Sequence, residues 1–493
     1  MAPVNSLSAL PAELLDAIGQ VTRDSDLPSL LLGCKAINHA LTPLLYASIT
    51  PNGFATMQKC ADTLAQDPAD HYDERDLATF VRSFIVQVQV FKSKRELRAR
   101  LARSLEGALV RMLGLRHFVL DSSHLGTPKM CIALARGPAR TLRTLVFRCE
   151  DEGRWPDESD PNALDGLRPD FPELTSIALS LNDFHLPAWF AFFQHMLTSR
   201  AGHLRTLSLN NLDVLTLQPF FLNPGAWSAL EELTLNMQRP CISLADLPHA
   251  PSVRKLTLDT EFRVPGDPWL TAEIPGSIPE HLCPNLEHLA CPYQLLPLFL
   301  PANAQKPRPI RTVRLNHAYF DPGGEAEDSF TMYAPAWEDV REALSTLPRS
   351  AGPVVDLAFY IYNFDAVTFA AEIVDYVKTL ERLVIVLYAD PRNVRHLSNF
   401  GEQLFAHMPA LRSFFLSDAP TRVADEPPAP FFAFHKEIQR QFLEEWDKHT
   451  SVLTEVALTT VFVWRKLDGG WTLESYIKDV RAYTEWCQCV RIS

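Results

Sequence analysis

The chain has 493 residues, 47% hydrophobic and 21% charged, enough to build several layers of core and too apolar to be dominated by disorder. Its formal net charge of −13, from 46 Lys and Arg against 59 Asp and Glu, argues against gripping nucleic acid or an anionic membrane, because both reward clustered cations. A membrane-spanning run of about 20 apolar residues is absent, as is a signal-peptide layout, and the nine cysteines follow no regular framework, so a soluble protein of the cytoplasm or nucleus with reduced thiols is expected.

The first 50 residues predict three short helices. Pro11 suits a first helical position and Glu13 places negative charge near the helix N-terminus, after which Leu14, Leu15 and Ile18 follow at helical spacing. Gly19 then falls inside that helix at a propensity cost of about 1 kcal/mol. Ser25 or Asp26 can cap a second helix carrying Leu27, Leu30, Leu31, Cys34, Ile37 and Leu41, and Thr42-Pro43 is predicted to open a third. A piece of about 40 residues rarely folds alone, so these helices should pack on something else. They either cap the domain that follows or dock on a second protein.

In order, the segment reads Leu-Pro-x-Glu-Leu-Leu from Leu10, Asp-Leu-x-x-Leu from Asp26, Cys-Lys-x-x-Asn from Cys34, and Thr-Pro-Leu-Leu-Tyr from Thr42. It resembles the F-box of fungal F-box-like proteins, with Gly33 standing where a bulkier apolar residue is usual. That resemblance implies docking to a Skp-family adaptor, and through it to a cullin, by Leu10, Pro11, Leu14, Leu15, Ile18, Leu27, Leu30, Leu31 and Pro43.

Further along, the basic run Lys92 to Arg103 carries Leu97 and Leu101, with Leu105 following, spaced by four, which predicts an amphipathic helix with a charged outer face. Arg98 and Arg103 on that face would be contacts for an acidic or phosphorylated target. From Leu115 onward a short pattern returns: apolar, two polar, apolar, any, apolar. Copies begin at Leu115, Leu142, Leu174, Leu204 and Leu230, and looser ones at Val253, Leu286, Ile310, Val354, Leu380, Leu411 and Leu453. Each predicts a buried strand. Pro172, Pro251, Pro284 and Pro409 stand two residues before the first apolar position, where proline ends a preceding helix. Arg, Glu or Thr follows that position in most copies. Amphipathic stretches such as Trp189 to Leu197 and Ala371 to Val377 supply helices between strands. Repeats of strand plus helix at this spacing resemble the degenerate leucine-rich repeats that follow many F-boxes, which implies a parallel sheet in a solenoid that binds a target protein. A non-repetitive α/β domain is the competing fold.

Three insertions break the rhythm, around Phe262 to Pro279, Ala318 to Gly352 and Asp418 to Phe434, and are candidates for target contacts. The acidic segments Asp157 to Asn162 and Phe320 to Asp328 lack the alternating oxygens and glycine of a calcium loop. His281, Cys283, His288 and Cys291 have the residue types of a zinc site, but the repeat pattern turns Cys291 inward and His288 to the other side of the strand. Near the end, Val461 to Lys466, a turn at Asp468-Gly469-Gly470, and Trp471 to Leu473 predict a hairpin that covers the last open core, with Trp464 and Trp471 packing. Cys487 and Cys489 are too close for an ordinary disulfide.

The expected organisation is a helical module at 1–50, a helical linker at 51–80, an irregular leucine-rich-repeat-like α/β solenoid at 81–460 and a hairpin-and-helix cap at 461–493. No nucleophile elbow, phosphate loop, metalloprotease motif or dinucleotide fingerprint is present in the sequence. The expected role is therefore non-catalytic and without a cofactor or metal: a target receptor of a ubiquitin ligase, or a plain interaction scaffold.

Overall fold

The computed structural model describes residues 12–22, 26–67, 75–88, 95–122, 125–149, 167–168, 170–181, 187–200, 202–210, 227–237, 250–260, 278–316, 337–361, 368, 371–372, 374, 376–387, 399–418, 436–458, 462–467 and 470–475. The chain divides into two units, 1–230 and 231–493.

The first unit opens with α1 (Ala12–Val21), α2 (Leu27–Leu31) and α3 (Lys35–Ala47). The break before α3 differs from the predicted one. Gly33 N–H bonds Leu30 O at 3.0 Å, and the extended Cys34 caps α3 by accepting from Ile37 N–H at 3.5 Å through Sγ. Thr42-Pro43 thus lies inside α3. A mid-helix proline frees the carbonyl four residues back. That carbonyl, His39 O, accepts from Arg75 Nη1 at 3.4 Å; Arg75 Nη2 donates to Asn38 Oδ1 at 2.8 Å, and Thr42 Oγ1 to Asn38 O at 2.6 Å. The orphaned oxygen is satisfied in place.

These helices do share a core, contrary to expectation: Leu15, Leu27, Leu31, Ile37 and Leu41 are buried together, with Leu30, Cys34, Ala40, Leu44 and Leu45 against them. Gly19 explains how. A Cβ there would lie 2.5 Å from Leu44 Cδ1 and 2.8 Å from Leu41 Cδ2, so the glycine lets α1 approach α3 closely. Its propensity cost is exchanged for packing. Helices α4 (Phe54–Ala65) and α5 (Arg95–Arg111) follow, joined by Asp62, which accepts from Ser104 Oγ at 2.6 Å, Gln58 Nε2 at 2.7 Å and Arg100 Nη2 at 3.1 Å. Helices α6 (Pro128–Arg136) and α7 (Pro187–Arg200) fall between later strands. Within α5, Leu101 and Leu105 are fully buried as their spacing predicts, whereas Leu97 is 43% exposed.

The strands of the first unit are β1 (Ser48–Ile49), β2 (Ser83–Gln87), β3 (His117–Asp121), β4 (Thr144–Cys149), β5 (Ser176–Leu181) and β6 (Thr206–Asn210). They pair in sequence order and all in parallel. The second unit continues with β7 (Glu232–Met237), β8 (Lys255–Thr260), β9 (His288–Pro292), β10 (Thr312–Asn316), β11 (Asp356–Ile361), β12 (Arg382–Leu387), β13 (Ser413–Asp418) and β14 (Glu455–Ala457), again parallel in order. This is a mixed α/β architecture with open, largely parallel sheets.

Every predicted copy obeys one rule: its strand begins two residues after its first apolar position, from Leu115 and His117 to Leu453 and Glu455. That first residue is buried, and so are the second and, in every strand but the three-residue β14, the fourth strand residues, as in Phe118 and Leu120 or Leu383 and Ile385. The register aligns equivalent positions, so His117, Thr144, Ser176 and Thr206 stand opposite one another, as do Lys255, His288, Thr312 and Asp356. An unrecognised copy, Val81-Arg82-Ser83-Phe84-Ile85-Val86, makes β2 by the same rule.

The last described elements of the second unit form an antiparallel hairpin of β15 (Phe462–Leu467) and β16 (Gly470–Ser475), with β15 also antiparallel to β14. Trp464 is buried there and donates Nε1–H to Gln439 Oε1 at 2.6 Å, so it packs as expected. Two other expectations shift. The third quarter of the insertion at 318–352 is helical at Trp337–Leu344, with Leu347–Arg349 a 3-10 turn, and of the helix predicted at 371–377 only Ala371 and Glu372 are helical among the described residues. Asp157–Asn162, Phe320–Asp328, Cys487 and Cys489 lie outside the described residues, as do most of the other two insertions.

Candidate docking surfaces

Two faces of α1 separate the residues predicted to meet an adaptor. Leu15 and Gly19 point into the helical core, while Leu14, Ile18 and Val21 form a stripe at i, i+4 and i+7. Leu14 is 51% exposed and Val21 85%, with Ile18 half-buried between them. At the end of α2, Leu32 is 86% exposed. Leu27 and Leu31 are core residues, whereas Leu30 and Pro43 are half-buried. Leu10 and Pro11 lie outside the described residues. Of the eight large apolar side chains exposed among the described residues, three therefore sit between Leu14 and Leu32. Val21 and Leu32 were missed by sequence reading, because each follows the last core position of its helix and belongs to no repeat.

On the sheets, the first and third strand residues face away from the buried side chains. In the second unit part of that face is closed: Ala358, Tyr360, Val384 and Val386 are buried as a second cluster with Phe415 against it. Elsewhere on it charged residues pair, Lys255 with Glu232 at 3.2 Å and Arg465 with Glu455 at 3.3 Å, and just ahead of the strands Arg254 pairs with Glu287 at 3.5 Å. In the first unit the outward Arg148 of β4 pairs with Asp121 of β3 at 3.3 Å, but the positions just ahead of β2 to β6 carry one sign of charge. The residues just ahead of β2 to β6 are Arg82, Arg116, Arg143, Thr175 and Arg205, and the four arginines are exposed. The basic residues named beforehand are elsewhere, on α5: Arg98 is half-buried, and the exposed Arg103 donates Nε–H to Ala99 O at 3.3 Å.

The His and Cys residues of the zinc pattern are not brought together. Cys291 is fully buried in β9 and Cys283 2% exposed, while His281 and His288 face solvent, and no cluster of metal-ligating side chains occurs among the described residues. Burial pushes the Cys283 thiol up to about 12 and the Cys60 thiol to about 11, and raises Cys131 and Cys291 further still. A thiol above its usual pKa holds almost no thiolate at neutral pH. Iodoacetamide at pH 7.5 should therefore leave Cys131, Cys283 and Cys291 unmodified in the native protein and alkylate them in urea; peptide mass spectrometry showing native labelling as fast as at Cys34 would contradict the burial.

No family model matches the chain, and a search of curated proteins finds none similar to it.

Proposed function

We propose that this chain is a non-catalytic target receptor of a cullin-based ubiquitin ligase, an F-box-like helical module ahead of a degenerate leucine-rich-repeat body, working in the cytoplasm or nucleus. The observation that carries the reading is the exposure of Leu14 and Val21, with the half-buried Ile18 between them on one face of α1, and of Leu32 after α2, on helices that already own a core. Such a patch is costly in water and is stabilised by a partner that covers it. A Skp-family adaptor is the partner, and the sheet holds the target. Bringing a target lysine near a charged conjugating enzyme raises effective concentration, so the receptor needs geometry and no nucleophile.

A second reading, a scaffold whose helices cap its own sheet, draws on a different observation. Helix α3 runs directly into β1, which pairs with β2, and Arg75 ties α3 to the segment ahead of β2. The two readings part at Leu14. Co-purification with a Skp-family adaptor should succeed for the unmodified chain, fall by roughly tenfold or more with Leu14→Asp, and be unchanged with Leu467→Asp, an equally exposed leucine on β15. Failure of the unmodified chain to bind any adaptor leaves the scaffold reading.

A further inference from the structure

The backbone ladder makes a continuous row of the residues that precede the strands of the first unit. Arg116 N–H donates to Arg82 O at 2.8 Å, Arg143 N–H to Arg116 O at 2.8 Å, Thr175 N–H to Arg143 O at 3.0 Å and Arg205 N–H to Thr175 O at 2.8 Å. Beside it runs a second row, the first strand residues Ser83, His117, Thr144, Ser176 and Thr206. Each rung but one therefore pairs a guanidinium with a hydroxyl or an imidazole, and neither row contains an acidic residue.

The same two positions in the second unit give the contrast. They hold Glu231, Glu232, Glu287, Asp356, Glu381 and Glu455 against Arg254, Lys255, Arg311, Arg382 and Arg412, which nearly neutralise one another. One repeat rule thus produces a self-paired edge in one unit and a single-signed edge in the other. Two arginines of the row meet a backbone carbonyl or a weakly held carboxylate. Arg82 donates to Thr79 O at 2.7 Å, and Arg143 meets Glu173 at 3.6 Å with both side chains about half exposed. A surface pair of that kind is worth about 0–1 kcal/mol and yields readily to a competing carboxylate.

We propose that this row binds an extended acidic segment of a partner protein. Strands lie about 4.8 Å apart, so the row from Arg82 to Arg205 spans roughly 19 Å, the length of about six residues of extended chain. Guanidinium groups grip carboxylates and phosphates in two-toothed fashion, and the neighbouring hydroxyls add donors. The occupant is a peptide and not a nucleic acid: four cations form one short row on a chain of net charge −13, whose wider field repels a long polyanion. The inference rests on the reading of the sheet as the target-holding surface, and extends it to the chemistry of the target.

The test uses the full chain without any adaptor, so its result is separate from the docking of the N-terminal helices. Fluorescein-labelled octaglutamate, followed by fluorescence anisotropy at low salt, should bind and weaken as salt rises. Arg116→Glu with Arg143→Glu should weaken it roughly tenfold or more, and the milder Arg116→Gln with Arg143→Gln by about half that factor. Arg412→Glu, at the same repeat position in the second unit, should leave affinity unchanged. A phosphoserine-containing peptide of equal length that binds and responds to the same variants supports the row equally. The proposal is overturned if octaglutamate shows no binding, if the folded double variants bind it as well as the parent, or if a short DNA duplex binds more tightly and loses affinity with the same substitutions.

Discussion

Replacing Arg308 by Met should destabilise the second unit by about 3–5 kcal/mol, read as a lowered urea midpoint of its transition. Arg308 is 2% exposed; its guanidinium is spent on backbone, with the Glu280 carboxylate close enough to act on it electrostatically. Nη1 donates to Phe299 O at 2.8 Å, Nη2 to Pro279 O at 2.7 Å and Leu282 O at 2.9 Å, and Nε to Leu282 O at 3.2 Å. The same residue's carbonyl accepts from Ala351 N–H and Ser350 Oγ, both at 3.0 Å. Two segments therefore meet on its side chain and a third on its carbonyl. Methionine fills much of the volume but leaves the carbonyls of Phe299 and Leu282 without their donor, each costing about 1–3 kcal/mol, while Pro279 O keeps the Leu282 N–H at 2.9 Å. Burial lowers the pKa of Arg308 from the ordinary arginine value, yet that value starts high enough for it to stay charged at neutral pH. Lysine should not rescue the fold, because an ammonium lacks the planar fork that reaches three directions. Cys283 reports on the same contact. It holds φ at 49°, a left-handed conformation costing about 1–2 kcal/mol, next to the Leu282 carbonyl that Arg308 binds twice. Once the arginine is gone, that turn should relax and Cys283 should become open to alkylation.

Arg308 also shows why some of this molecule was legible in the sequence and some was not. The strands could be read because each needs a buried residue two positions ahead and two inward residues within, a demand local to six positions. Where a demand spans distant segments, no pattern marks it: Arg308 stands between two prolines with nothing to say that carbonyls 9 to 29 residues away await it. The start of α3 was misread for a different reason. A cysteine is not among the usual capping residues, and Pro43 looked like a helix opening until Arg75 supplied the donor it lacks. For the candidate sites the limit was orientation. Leu14 and Leu15 both fit helical spacing, and only the packing of Gly19 on Leu41 and Leu44 decides which of them turns outward. The arginine row was visible as a residue preference after the first apolar position; its single sign in one unit emerged only when the register stacked the copies.

Gly137→Ala should cost the first unit about 2–4 kcal/mol, although alanine is the better residue by propensity. Gly137 ends α6, its N–H bonding Ala133 O at 2.8 Å, and its φ of −89° is not in the left-handed region that favours glycine. The obstacle is steric. A Cβ there would run into the carbonyl oxygen of Leu109 and come 3.0 Å from Val110 Cα, both backbone atoms of α5 that no rotamer change can move. Relief would require α5 and α6 to separate, and α5 buries Leu101, Leu105, Ala108 and Leu109 completely. Gly352→Ala is the matched comparison. Nothing lies within 4 Å of the Cβ it would add, so its effect should be near zero or slightly stabilising through the unfolded chain. Equal thermal melting of the two variants would refute the close approach of α5 and α6. Because the turn after Gly137 leads straight to Arg143, with Thr141 Oγ1 bonding Leu113 O and Leu115 O at 2.9 Å, the substitution should also lower octaglutamate binding, but only in proportion to the protein unfolded. A loss of binding without a loss of folding would instead place Gly137 in the peptide-binding edge itself.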